Sequence, residues 1–203
     1  MKCFACSLLT LFVLLSVNIF AQNTATEIIK WQTELNLEYT DKLKSPLSAK
    51  DRAAFKGHSF FKIDTSYNVK AIVVLSKKTE EIPFTTSTNR VAMHKEYATL
   101  IFSIKGKQYS LMAYQSLDLM KVKEYEDYLF LPFTDETSGL ETYGGGRYID
   151  LKIPTTDNTI MIDFNKSYNP YCAYSKNFSC PKVPAENNLA IKISAGVKYE
   201  AAH

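Results

Sequence analysis

From Ser59 onward apolar side chains return at every second position, and this period constrains the fold more than any other feature of the chain. Phe61 and Ile63, then Tyr67, Val69, Ala71, Val73 and Leu75, alternate with their neighbours as half-buried strands do. Runs of similar character occupy residues 82–86, 96–104, 108–116, 128–133, 147–153, 159–164 and 189–194. Gly106-Lys107 reads as a tight hairpin turn, and residues 154–158 as another turn. No helix-length segment separates these runs, so antiparallel connections are expected. The 13 Tyr and 12 Phe side chains fit a pleated, half-buried surface. The pattern predicts a mainly β fold with a covering N-terminal helix (α+β). Its strands, about eight or nine in number, would form an antiparallel sandwich or a partly closed barrel.

The helix is legible ahead of the strands. Thr24 and Glu27 stand in the capping-box arrangement, and Ile28, Trp31, Leu35, Tyr39 and Leu43 recur at spacings of three and four. Lys30, Glu34, Glu38 and Lys42 fall off that stripe, which makes Trp31 a core residue on this reading. Pro46 ends the helix, and Ser48 with Asp51 predicts a second, short one through Phe55.

Before the helix, Lys2 precedes an apolar run from Phe4 to Phe20 that ends at Ala21-Gln22, the plan of a secretory signal peptide over 1–21. The chain is therefore expected to be exported, to the periplasm or as a secreted protein. A single β-rich domain is expected over 24–203, with a helical lead-in at 24–56 and an antiparallel core at 59–203. With Lys2 removed, 23 of the 24 basic side chains face 21 acidic ones, a net charge of +2. That balance supplies no basic stripe for nucleic acid. No second apolar stretch is long enough to cross a bilayer as a helix.

Two segments break the strand pattern. Residues 135–148 are polar and end in Gly144-Gly145-Gly146 before Arg147, and 163–188 carry Pro170, Pro181 and Pro184. Long ordered loops on a rigid scaffold are where binding residues concentrate. Around the glycines the chain reads PFTDETSGLETYGGGRY, and the second loop opens DFNKSYNPYCAY, followed by Cys180-Pro181 and Glu186-Asn187. These blocks, together with Trp31, Ser45-Pro46-Leu47 and Phe55-Lys56-Gly57, resemble the bacterial and archaeal family known as domain of unknown function 1684. Val197 stands where that family usually has Glu, and Val183 where it usually has a second Pro. The resemblance implies no activity.

The loops offer several chemistries. Asp135, Glu141, Asp150 and Asp163 surround Arg147 in the sequence. A carboxylate pair drawn from Asp135, Glu141 and Asp163 would suit a hydrolase, with Arg147 steering the substrate. Equally, the planar fork of Arg147 can bridge carboxylates and pin the loops with no substrate at all. Gly144–Gly146 can form an anion-cradling nest or a tight turn. Cys172 and Cys180, eight residues apart, read as a disulfide in an oxidising compartment, with free thiols, metal binding or catalysis as alternatives. The spacing of His58 and His94 suggests no metal site, and no cofactor is implied. The leading expectation is the binding of a polar small molecule or glycan fragment at Asp135, Glu141, Arg147, Tyr148, Asp163, Asn165, Tyr168 and Asn169. A hydrolase and a purely structural envelope protein are the alternatives.

Overall fold

The computed structural model describes residues 24–88 and 90–199, and the expected signal peptide over 1–21 lies outside them. Helix α1 covers residues 24–40. It stops short of Pro46 because the carboxylate of Asp41 accepts the Leu43 N–H at 2.7 Å, a local turn that competes with helix continuation. Leu43, expected on the apolar stripe, is consequently 92% exposed, whereas Ile28 and Tyr39 are buried. Helix α2 (Ala49–Ala54) follows, with the Ser48 hydroxyl accepting the Asp51 N–H at 3.1 Å.

Among the described residues eight strands then form one curled half-barrel sheet: β1 (Asn68–Leu75), β2 (Ile82–Thr85), β3 (Val91–Ile104), β4 (Lys107–Ser116), β5 (Tyr128–Asp135), β6 (Arg147–Lys152), β7 (Thr159–Asp163) and β8 (Asn188–Leu189). The order is β6-β5-β4-β3-β1-β7, with β2 beside β3 and β8 beside β5. Pairing is antiparallel throughout except between β5 and β8. Strand β3 is the origin of the curl. Its first half pairs with β2 (Ile82 opposite His94) and its second with β1 (Ile72 opposite Ile101), and its ladder to β4 shifts register between Glu96 and Ala98. Such a bulge bends a strand and increases its twist. The β3–β4 hairpin turns at Lys105-Gly106, one residue earlier than expected, where φ is +50° and +77°. Positive φ at both central residues is the hairpin geometry that matches strand twist.

The inner face of the half-barrel buries Val69, Ala71, Leu100, Phe102, Leu131, Phe133, Ile149 and Phe164. Ile193 and Ala195 from the C-terminal stretch complete this core. Residues 189–194 were expected as a strand, yet only Asn188–Leu189 forms one. Further along, the Ile193 N–H is taken by the Asp135 carboxylate, and the Ile193 and Ala195 carbonyls by the Arg147 guanidinium. Side chains there do the work of a neighbouring strand. A second apolar cluster, Phe84, Tyr114, Phe130 and Tyr148, covers the opposite face around β4–β6. No helix among the described residues is long and apolar enough to cross a membrane.

Candidate functional site

Alternation along β6 sends neighbouring residues to different places. Arg147 and Ile149 point to the inner face, Tyr148 and Asp150 to the outer one. Arg147 and Asp135 form an ion pair at 3.2 Å whose side chains have 0% exposure on both sides. Thr137 donates its hydroxyl to Asp135 at 2.9 Å, and the guanidinium lies 5.1 Å from the centre of the Phe133 ring. Burial lowers the pKa of Arg147, and the Asp135 charge opposes that shift. With no exposed surface the pair cannot meet a ligand, so the expectation of Arg147 as a substrate-steering residue is corrected: it pins the C-terminal stretch.

The remaining expected residues divide in the same way. Asn165 is buried and exchanges two hydrogen bonds with the Asp64 backbone, at 2.9 and 3.1 Å. Asp163 caps the short turn after β7 by accepting the Asn165 N–H at 3.1 Å. Asn169 is buried and donates to the Tyr174 hydroxyl and the Lys198 carbonyl. Glu141 is exposed on the far loop, with its carbonyl accepting the Tyr199 N–H. The carboxylate set Asp135, Glu141 and Asp163 thus comprises a buried ion-pair member, an exposed loop residue and a turn cap. Gly146 has φ +89°, and a Cβ there would stand 2.6 Å from the Phe133 carbonyl oxygen, so the glycine run serves a tight turn.

Tyr148 and Tyr168 do meet, in a cleft of about 440 Å³. One wall is α1, through Trp31, Glu34, Leu35 and Glu38. These positions are spaced by three, four and seven residues and therefore share a helix face. The facing wall is β6, through Tyr148 and Asp150, continued by Tyr168, Pro170, Tyr171 and Cys180. The chain leaving β7 crosses the open side of the half-barrel and bridges to β6 by reciprocal Tyr148–Tyr168 backbone bonds of 2.9 and 3.0 Å. Behind this tyrosine screen is a second cavity of about 350 Å³, which Tyr148 and Tyr168 also line together with His94 and Asp118.

Asp150 is the centre of the cleft. Its Oδ1 accepts from the hydroxyls of Tyr128 and Tyr168, both at 2.7 Å. Asp150 is itself solvent-exposed, and the protein packed around it desolvates the carboxyl only in part. Burial raises its carboxyl above the ordinary range; the two phenol bonds pull the other way, and the Glu38 charge adds to the rise. The Tyr171 hydroxyl donates to Glu38 Oε1. Burial also raises the pKa of Tyr128, Tyr148, Tyr168 and Tyr171, so all four phenols remain protonated donors at neutral pH. Cys172 and Cys180 are free thiols, with the Cys172 N–H donating to the Cys180 sulfur at 3.3 Å. The hydrogen bond from Cys180 brings the Cys172 thiol down to about 6, and the same contact raises Cys180.

Reasoning from sequence missed Trp31, Glu34 and Glu38 as cleft residues. The signal was present: the spacing 31, 34, 35, 38 describes a second helix face beside the core stripe, mixing aromatic and acidic side chains.

The family profile described as "Protein of unknown function (DUF1684)" matches residues 53–198. Among solved structures, the solution NMR structure of an uncharacterized protein from Haloarcula marismortui is 32% identical, with a TM-score of 0.70. That similarity covers 92% of this chain and 100% of the archaeal one. No curated protein matches the chain.

Proposed function

The chain belongs to the DUF1684 family of proteins of unknown function, and we propose that it binds a polar small molecule in the cleft between α1 and β6. The observation that carries this reading is the convergence of helix, strand and loop on one cavity of about 440 Å³. Inside it, aromatic faces stand beside oriented hydroxyls and carboxylates, the composition of a small-molecule site. A glycan fragment fits the same chemistry through ring stacking on Trp31 and hydrogen bonds to Asp150 and Glu38. The positive start and apolar run of residues 1–21 support export, so the ligand would be met in the periplasm or outside the cell. Native mass spectrometry of gently purified protein tests the reading. A small-molecule adduct is expected, and it should vanish in Trp31→Ala and Asp150→Asn. An adduct that survives both substitutions sits elsewhere, and the proposal fails.

A second reading, hydrolysis, has one observation in its favour. Burial raises the Asp150 pKa and the Glu38 charge adds to the rise, and two neighbouring carboxyl groups with one shifted upward suit an acid–base pair. It would use Asp150 and Glu38 in place of Asp135, Glu141 or Asp163. The two readings part on incubation: a hydrolase converts its ligand to a product of different mass, a binding protein returns it intact.

A further inference from the structure

Resting on the reading of the cleft as a binding site, we infer that its ligand is an organic cation, an extended molecule carrying at least one ammonium group. The lining contains three carboxylates, Glu34, Glu38 and Asp150, and among the described residues that line it there is no Lys, Arg or His. An anion would enter against three like charges. A neutral sugar would find hydrogen-bond partners but would leave Glu38 and Asp150 repelling one another, whereas a cation relieves that repulsion.

The oxygens are arranged to receive a donor. Tyr128 and Tyr168 both donate to Oδ1 of Asp150, and Tyr171 donates to Oε1 of Glu38. Among the described residues no hydrogen bond occupies Oδ2 of Asp150 or Oε2 of Glu38, so each carboxylate keeps one acceptor oxygen for a ligand. Rings of Trp31, Tyr148, Tyr168 and Tyr171 supply the faces that attract an ammonium group. Size separates an organic cation from a metal ion. Among the described residues no three His, Cys, Asp or Glu side chains are grouped so as to hold a metal. The three carboxylates are therefore spread along the cavity, at a spacing that suits a molecule.

Isothermal titration calorimetry of the purified protein at low salt tests this, with cadaverine and choline as cations, N,N′-diacetylchitobiose as a neutral glycan and succinate as an anion. Cadaverine or choline should give saturable binding that weakens as salt is added. Glu38→Gln and Asp150→Asn, which keep an oxygen for the tyrosine donors, should each weaken it about tenfold, the scale of one charge-assisted hydrogen bond. Glu34→Gln removes a carboxylate that makes no hydrogen bond among the described residues and should weaken it in the same direction. Thermal melts of each variant check the fold. Binding of the disaccharide with both cations silent overturns the cation assignment and leaves the binding cleft standing. Cation binding indifferent to all three substitutions overturns it as well. Silence from all four compounds overturns both.

Discussion

Arg147 and Tyr148 are adjacent in the chain and serve opposite faces of the sheet. Arg147 is sealed against Asp135 at 3.2 Å inside the half-barrel, and Tyr148 lines the outer cleft. The alternation of β6 thus sends the buried ion pair to one face of the sheet and the cleft wall to the other, and the two are separable by mutation.

Arg147→Met should leave Asp135 as an uncompensated buried charge and cost about 3–5 kcal/mol, read from urea unfolding. Replacing both partners, Arg147→Met with Asp135→Leu, should recover much of that loss. A single variant that loses less than about 1 kcal/mol would contradict the assignment of the pair as the pin of the C-terminal stretch.

His58 makes stability fall in mild acid. Its ring packs 4.3 Å from the Tyr39 ring and 5.1 Å from that of Phe55, and its buried Nε2 has no hydrogen-bond partner among the described residues. Burial lowers its pKa from 6.5 to about 4. The unfolded chain therefore takes up the proton more readily, so the stabilisation is complete above pH 6.5 and drains away as pH falls toward 4. Allowing for the ring's partial exposure, the loss is on the order of 2 kcal/mol. Comparing unfolding of wild type and His58→Gln at pH 7 and pH 4.5 isolates it: the wild type should show the larger drop.

Cys172 should be the reactive thiol of the pair. With a pKa of about 6 it is largely thiolate at neutral pH, whereas Cys180 is held protonated. Brief iodoacetamide treatment at pH 7 followed by peptide mass mapping should label Cys172 first, and the rate should rise through pH 6. Mild oxidation is expected to remove two hydrogens from the intact chain by joining the two sulfurs. Preferential labelling of Cys180 would reverse the assignment.

Two glycines in turns should respond differently to alanine. At Gly146 the new Cβ would stand 2.6 Å from the Phe133 carbonyl oxygen, on a backbone with φ +89°. At Gly106, with φ +77°, it would meet nothing within 4 Å. Gly146→Ala should therefore cost more than about 2 kcal/mol, and Gly106→Ala about 1 kcal/mol from the positive φ alone. Paired thermal melts compare them, and equal losses would remove the argument from close packing.

Much of the sheet was legible because period-two alternation and turn chemistry are local signals. The β3–β4 hairpin was off by a single residue at its turn, and the Ser48 cap of α2 was read from four residues. The strand expected at 189–194 failed because its backbone partners are the side chains of Asp135 and Arg147, more than 40 residues away in sequence. The cleft was half legible. Tyr148 and Tyr168 were named, but neighbouring polar residues such as Asn165 and Asn169 have the same composition and serve the backbone instead. Chemical type does not distinguish a ligand contact from an internal strut; only the direction of the side chain does. Trp31 was read as core because aromatic residues on a helix stripe usually are, and α1 proved to have two working faces.

The hydrogen bond from Tyr171 to Glu38 joins residues 133 positions apart. Contacts that close so long a loop come late in folding, because the chain must surrender its freedom before they repay it. The helix leaves the ribosome well before the strand and loop that face it, so the recess waits for residues up to Cys180, and only the C-terminal stretch with Ile193 and Ala195 comes later. A chain ending before residue 168 would lack Tyr168, Pro170, Tyr171 and Cys180, and with them the wall that faces α1 beside β6.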